Sequence, residues 1–262
     1  MPLRCFLPPE EWPREMGETF ISRGREAHHL ARVLRVRRGD TVLCFDGQGR
    51  QMQATVRDLG SSQLLLEAGP VQQIPPSPWA VHLGIAIPGQ GKLEEIVSFA
   101  TQLGVSGILP LQTERTVVRF TADRFKRKME HLRQVSVETA KQCGIGLLPE
   151  IRPVTPWNRV VASFPEYHRV LLAAVEGPHE DWKTVLSQPV RRTEGTSYPV
   201  KILLLVGPEG DFSPEEIRQA SQAGARLVSL GPLVLRCETA VVASLSILNF
   251  LLGSDPAGSD PS

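Results

Sequence analysis

Lysine is scarce, supplying six of the 29 basic side chains against 23 arginines. With 28 acids the formal net charge is +1, which excludes a grossly basic coat protein but leaves room for local patches. Arginine's planar fork suits phosphates and base edges, so the bias favours an anionic partner; a GC-rich genome produces the same bias. Cysteine is as sparse. Cys5, Cys44, Cys143 and Cys237 stand far apart, with no C-x-x-C and no histidine at zinc spacing. They read as four separate thiols of a reduced cytosolic protein, not as a disulfide framework. Long apolar runs are missing: Ala240 to Leu252 is interrupted by Ser244, Ser246 and Asn249 and is too short for a bilayer. Met1 to Glu10 has no signal-peptide core. The expectation is a cytoplasmic protein with no membrane partner. G-x-G-x-x-G after a strand, H-E-x-x-H and G-x-S-x-G are all absent. Gly89-Gln-Gly-Lys92 approaches a phosphate loop, but Ala86 replaces its first glycine and Leu93 its Ser/Thr. A dinucleotide fold, a P-loop enzyme and an α/β-hydrolase lose ground, and no metal is expected.

What is present reads as two domains. The first 70 residues form short strands with one brief helix. Asp40–Phe45 and Gln51–Val56 flank the turn Asp46-Gly-Gln-Gly49, Gln63–Glu67 adds a strand, and Glu26–Leu34 fits the helix. Residues 71–79, with three prolines after Ile74, read as a stiff linker. From residue 80 to 252 strands and helices alternate. Leu93, Ile96, Val97, Ala100 and Leu103 share a helical face, and Thr121–Gln142 is a long charged helix. His168–Val175 and Val200–Val206 are apolar runs of the kind that parallel sheets bury. Ser213-Pro-Glu-Glu216 starts a helix, Arg226–Leu230 is a strand, and Glu238–Leu252 is a helix apolar nearly all round. Such a helix is buried on both sides, by the domain core or by a partner subunit. Residues 253–262 read as a disordered tail.

Two glycine-bearing turns stand at carboxyl ends of strands, where open α/β sheets bind ligands. One is Val206-Gly-Pro-Glu-Gly210 running into Asp211-Phe-Ser213, and the other is Leu230-Gly-Pro-Leu-Val-Leu-Arg-Cys-Glu-Thr-Ala240. Glycine permits close approach of a ligand to the backbone, and proline stiffens the turn. Any α/β protein needs such residues after its strands. The buriable charges Glu209, Arg236 and Glu238 tip both turns toward function.

These turns resemble the two signature loops of RsmE-type ribosomal RNA uridine-N3 methyltransferases of the SPOUT superfamily. The resemblance extends to Arg4-Cys-Phe6, His28-His-Leu-Ala-Arg-Val-Leu-Arg35, Gly39-Asp40, Ala100–Val105, Thr113-Glu-Arg115, Glu138–Gln142 and Pro149-Glu150. It implies an α/β fold, a SPOUT-type trefoil-knot domain preceded by a small PUA-like β-barrel that binds RNA. It also implies a homodimer and S-adenosylmethionine as cofactor. The cofactor would lie on Val206, Gly207, Pro208, Glu209, Gly210, Leu230, Gly231, Leu235, Arg236, Thr239 and Ala240. The partner implied is small-subunit ribosomal RNA, in the assembled subunit. The chain departs from the family pattern at Phe99, Ile145 and Leu233, where cations are usual, and at Gln102 and Asp211, where Glu and Gly are.

Uridine N3 bears a proton, so methylation there needs a base or a cation that stabilises the uracil anion. Arg236 is the cation expected, oriented by Glu238; the plainer reading of that pair is an ion pair that ties the loop. Glu114 or Glu209 takes the proton, and Glu114 joins Arg236 and Glu238 as the expected catalytic set. Arg4, His29, Arg32, Arg35, Arg115 and Gln142 are assigned to RNA. Arg23, Arg25, Arg32, Arg35, Arg37 and Arg38 form one basic cluster, with Arg32 and Arg35 a helical turn apart. A second runs through Arg115, Arg119, Arg124, Lys126, Arg127 and Lys128. A SPOUT enzyme for another RNA position, and a non-catalytic RNA-binding or assembly protein, are the alternatives.

Overall fold

Asp46 organises the first hairpin. Its Oδ1 accepts the N–H groups of Gln48 and Arg50 at 2.8 and 2.9 Å, and Arg50 Nε closes on Oδ2 at 2.6 Å. Gly47 and Gly49 then turn the chain at φ of 75° and 103°. The computed structural model describes residues 3–60, 63–75, 77–89, 91–116, 122–189 and 199–253, without the side chains of 122–125. Arg119, the Arg124 side chain and the expected tail from 254 onward lie outside the described residues. The chain divides into two units, Met1–Pro76 with Val137–Leu148, and Ser77–Ser136 with Pro149–Ser262.

The first unit is built on β1 (Arg4–Phe6), β2 (Thr19–Arg23), α1 (Gly24–His28), β3 (Thr41–Phe45), β4 (Arg50–Leu59) and β5 (Gln63–Gln73). The strands lie in the order β1-β3-β4-β5-β2, with β1 parallel to β3 and the other pairs antiparallel. Alternate residues point inward, and Leu30, Val42, Cys44, Met52, Val56, Leu64 and Leu66 fill the core. The resemblance implies a small PUA-like β-barrel; among the described residues its edge strands β1 and β2 do not pair with each other. The outward N–H of Phe6 on β1 is taken by Glu26 Oε2 at 3.1 Å, so a side chain occupies the edge where a strand would dock. The sheet is a curled half-barrel.

Two further expectations change. The linker shrinks to residues 74–78, because β5 continues through Gln73 and the next strand begins at Trp79. Pro70 is tolerated inside β5 because the register slips between Met52 and Ala54 opposite it, leaving no ladder bond for its missing N–H. The helix after β2 widens in its last turn, His29–Val33, to π geometry, with Leu34 N–H on His29 O at 3.0 Å. Arg35 lies beyond it at φ 53°, so Arg32 and Arg35 are not one helical turn apart.

The second unit is a seven-stranded parallel sheet, β12-β10-β11-β6-β7-β8 with β9 also on β7. In chain order it comprises β6 (Trp79–Ala86), α2 (Lys92–Gln102), β7 (Gly107–Gln112), α3 (Ala122–Cys143), β8 (Glu150–Ile151), β9 (Thr155–Pro156) and α4 (Trp157–Ala162). Then follow β10 (Arg169–Ala173), α5 (Trp182–Ser187), β11 (Val200–Val206), α6 (Pro214–Gln222), β12 (Arg226–Val228) and α7 (Cys237–Gly253). The last turns of α3 belong to the first unit. From Ile202 to Val206 the central strand β11 is buried on both faces, which explains its apolar run after the exposed Lys201. Leu204 and Ile202 pack with α2, α5 and α7, while Leu203 and Leu205 pack with Trp157, Phe212 and Ala220. After edge strand β12 the chain returns to the middle of the sheet, where Cys237 Sγ donates to Gly207 O at 3.4 Å as α7 begins.

Helix α7 buries Val241, Ser244, Leu245, Leu248 and Leu252 in the core of its own unit, packed on α2. Its opposite stripe is half-buried at Val242 and Ala243 and exposed at Ser246 and Asn249. The helix is therefore covered on one side within the chain, and Leu248 reports on folding instead of on a subunit contact.

His82 sits 8% exposed on β6, its Nδ1 3.2 Å from the Tyr167 hydroxyl. Burial first, then the charges of Arg152 and Lys201, lower its pKa from 6.5 to about 4. The folded state therefore binds fewer protons than the unfolded chain between these values, so stability falls as pH drops from 6.5 towards 4. Urea midpoints measured across this window should fall less steeply in His82→Gln than in the wild type. Equal slopes would show that the ring is protonated as readily in the fold as in the unfolded chain.

Candidate active site

Three neighbouring strands end in one row. Ala173 on β10 pairs with Val206 on β11 and with Val228 on β12. The three loops that follow enclose a cavity of about 500 Å³. Its walls include Ala173–Gly177, Val206–Phe212, Leu230, Gly231, Leu233–Leu235, Cys237, Ala240, Pro214, Ile217 and Arg115.

The first signature loop is fixed from several sides. Asp211 N–H returns to Pro208 O at 2.8 Å, closing the turn. Ser213 caps α6 in a reciprocal box with Glu216, and the buried Glu216 also accepts the Glu114 N–H at 2.8 Å. Arg115 Nη1 donates to Gly210 O at 2.5 Å. Phe212 is buried against Trp157, ring centroids 5.1 Å apart. In the second loop Gly231 has φ 104°, and its N–H donates to Ser229 Oγ at 3.1 Å. Trp182 Nε1 holds Ser229 O at 2.8 Å. The two glycines serve different ends. At Gly207 a Cβ would come within 3.0–3.2 Å of Asp211 and Phe212, a constraint of space. At Gly231 a Cβ would meet nothing within 4 Å, and the constraint is the backbone angle alone.

Gly89 and Lys92, from the stretch that approaches a phosphate loop in sequence, bind a carboxylate of the chain itself. Glu209 Oε1 accepts the Gly89 N–H at 3.2 Å and lies 3.3 Å from Lys92 Nζ. Burial works against the charge on Glu209, but backbone N–H groups and Lys92 outweigh it and lower its pKa. Lys92 also stands 3.8 Å from Glu238 Oε2, so one ammonium lies between acids of both signature loops. Burial, with the Glu209 charge, pushes the Cys237 thiol up to about 11, which leaves it protonated and inert at neutral pH.

Of the residues expected at the cofactor, Val206, Gly207, Pro208, Glu209, Gly210, Leu230, Gly231, Leu235 and Ala240 line the cavity; Arg236 and Thr239 do not. Among the described residues no ion pair joins Arg236 to Glu238, whose carboxylate turns to Lys92 instead. Arg236 is exposed. Glu114 is exposed and outside the cavity. Two residues assigned to RNA are engaged within the fold. Arg4 is buried, stacks 4.8 Å from the Phe45 ring centroid and donates to Ile145 O at 2.9 Å. Arg115 holds Gly210 O from the cavity wall. Arg32, Arg35 and Gln142 are exposed and His29 half-buried. Ala173–Gly177 joins the site unexpectedly, although Gly177 after an apolar strand is the same kind of signal as the other two turns. Lys92 stands out in sequence only for its resemblance to a phosphate-loop lysine, because its acidic partners lie more than a hundred residues away.

A family model described as RNA methyltransferase domain matches residues 75–249, and one described as RNA methyltransferase PUA domain matches residues 23–68. The ribosomal RNA small subunit methyltransferase E of Synechocystis sp. is 31% identical over 233 residues, covering 87% of this chain and 72% of that protein. Its counterpart in Bacillus subtilis is 25% identical over 252 residues, 94% of this chain and 96% of that one. A protein from Legionella pneumophila, solved in complex with the bound cofactor SAM, matches with a TM-score of 0.82 at 27% identity, over 95% of this chain and 98% of that one. With both domain models in sequence and relatives aligned over most of its length, the chain belongs to the ribosomal RNA small subunit methyltransferase E family, an RNA methyltransferase PUA domain followed by a SPOUT methyltransferase domain.

Proposed function

We propose that this chain transfers the methyl group of S-adenosylmethionine to N3 of a uridine in 16S ribosomal RNA of the small subunit. One observation carries the reading: two signature loops, from strands that are not neighbours in the sheet, close on a single cavity. Its volume of about 500 Å³ suits a ligand of nucleoside size. Leu230, Leu235 and Ile217 offer apolar walls, and the backbone of both glycine turns lies open to a ligand between them. These features fit S-adenosylmethionine, which when bound supplies an electrophilic methyl on a sulfonium.

The chain's own part is to orient uridine and to manage the N3 proton. Glu209 is a weak base because its hydrogen bonds favour the carboxylate, and Glu114 lies off the cavity. Stabilisation of the uracil anion by a cation is therefore the better-supported route. Arg236, on the loop that leads into α7, has no ion pair or side-chain hydrogen bond among the described residues and can serve it. Arg236→Ala should lose about a hundred- to a thousandfold in kcat, with cofactor affinity little changed, in tritium transfer to small subunits that lack the modification. Full turnover in the variant would remove Arg236 from the chemistry.

RNA would be held by the first unit. Arg23, Arg25, Arg32, Arg35, Arg37 and Arg38 are all exposed, and no ion pair engages them among the described residues. Replacing Arg32 and Arg35 by Ala together should reduce the slope of log K against log salt by about 0.7–0.9 for each phosphate left unneutralised. An unchanged slope would mean that they do not touch the backbone.

We place the working enzyme in the cytoplasm, in keeping with four free thiols and no helix long and apolar enough to cross a membrane among the described residues. It would act there as a homodimer through the outer stripe of α7, since residues 239–253 carry no charge. Ser246 lies in that stripe and is exposed, so Ser246→Arg should leave the fold intact and halve the mass seen by light scattering. A wild type that scatters as a monomer at micromolar concentration overturns the dimer.

A further inference from the structure

We infer that Asp211 is a positioning residue for the cofactor. Its carboxylate fastens the turn after β11 to the chain leaving β10, and so sets the width of the cavity between them. The inference rests on the reading that this cavity binds S-adenosylmethionine.

Asp211 has φ 61°, and only Arg35 shares a positive φ among the described non-glycine residues. Aspartate is among the few side chains that enter this region, because it can bond to nearby backbone, and such a residue persists where its surroundings hold it there. The surroundings here are specific. Asp211 Oδ2 accepts the N–H of Val175 at 2.8 Å, from the segment that leaves β10. Oδ1 accepts the N–H of Phe212 at 2.8 Å, within its own loop. Val175, Asp211 and Phe212 all line the cavity. The carboxylate therefore spans two of the three loops, from two separate strands.

Each oxygen faces an N–H donor, and an ionised carboxylate is the short side chain with two acceptors and no hydrogen to present. Asparagine would turn its amide nitrogen toward one of these donors and lose that bond. Glycine, the residue the family resemblance expects here, would adopt the angle without strain and make neither bond. Gly207 matches the arrangement, because a Cβ there would lie 3.0 Å from Asp211 Oδ1. Among the described residues Val175 has no strand partner, and the residue is 54% exposed. Its bond to Asp211 is thus a principal restraint on that wall. This chain accepts backbone strain at one residue and gains a fixed distance across its ligand site.

The test compares wild type with Asp211→Gly and Asp211→Asn in the full chain. Calorimetry with S-adenosylmethionine should show affinity on the order of tenfold weaker in Asp211→Gly, from loss of two charge-assisted bonds and the need to order the wall on binding. Asp211→Asn should fall between. In methyl transfer the cofactor KM should rise more steeply than kcat falls. The thermal midpoint of Asp211→Gly should stay within a few degrees of wild type, since relief of strain offsets the missing bonds. Amide exchange without any cofactor supplies an independent reading. Protection at Val175 and Phe212 should drop in Asp211→Gly while that of Ile202–Leu205 in β11 stays. Wild-type affinity in Asp211→Gly, or unchanged protection at Val175, overturns the proposal. If the wild type itself fails to bind S-adenosylmethionine, the functional reading falls, and the exchange data alone decide whether the clamp exists.

Discussion

The register of three parallel strands governs everything at the site. Because Ala173, Val206 and Val228 stand side by side, the loops after β10, β11 and β12 rise from one line and can share a ligand. A register slip on any of the three would separate loops that now touch the same space. The apolar runs that fix the register are also those that bury β11 on both faces, so stability and site geometry have a common origin. Onto this row the return of the chain from β12 sets α7 against Gly207, and the second signature loop is held between a sheet edge and a sheet centre.

Much of this was legible in the sequence, and for identifiable reasons. Val200–Val206 is a short β-branched and leucine-rich run of the kind that a doubly covered strand explains, and it appears with those bounds. Ser213-Pro-Glu-Glu216 predicts a helix start from capping chemistry alone, and the reciprocal box is there. What escaped depends on contacts between distant residues. The two edge strands β1 and β2 are three and five residues long and carry little periodicity of their own. The engagement of Glu238 by Lys92, instead of by its near neighbour Arg236, is a choice made in three dimensions. The same holds for Asp211, which in sequence is merely a departure from a glycine.

The arginines divide by burial, not by count. Arg4 and Arg115 stand in motifs that suggest RNA contact, yet their guanidinium groups are committed to carbonyl oxygens of the fold. Planarity lets a guanidinium lie on a ring, as Arg4 does on Phe45, and still donate at its edge. Arg32, Arg35, Arg37 and Arg38 lie around a widened helical turn that projects exposed Val33 and Leu34 among them. An excess of arginine over lysine thus answers two needs in one chain, internal tethering and an open cationic face.

The amino-terminal unit is not continuous in sequence, and that has a consequence for its birth on the ribosome. Glu26, which occupies the edge of β1, is paired with Lys141, 115 residues later, and Arg4 reaches Ile145 across 141 residues. Strands β1 to β5 can pair as soon as they emerge, but the segment 137–148 that completes the unit, the end of α3 and the loop after it, is still unmade. At about 5–20 residues per second, several seconds pass between the two events. During that interval Arg4 lacks its carbonyl acceptor and Glu26 its ammonium. The domain first synthesised is therefore finished only after more than half the chain has been translated, and a gene fragment cut at the end of β5 encodes the sheet without its closing segment.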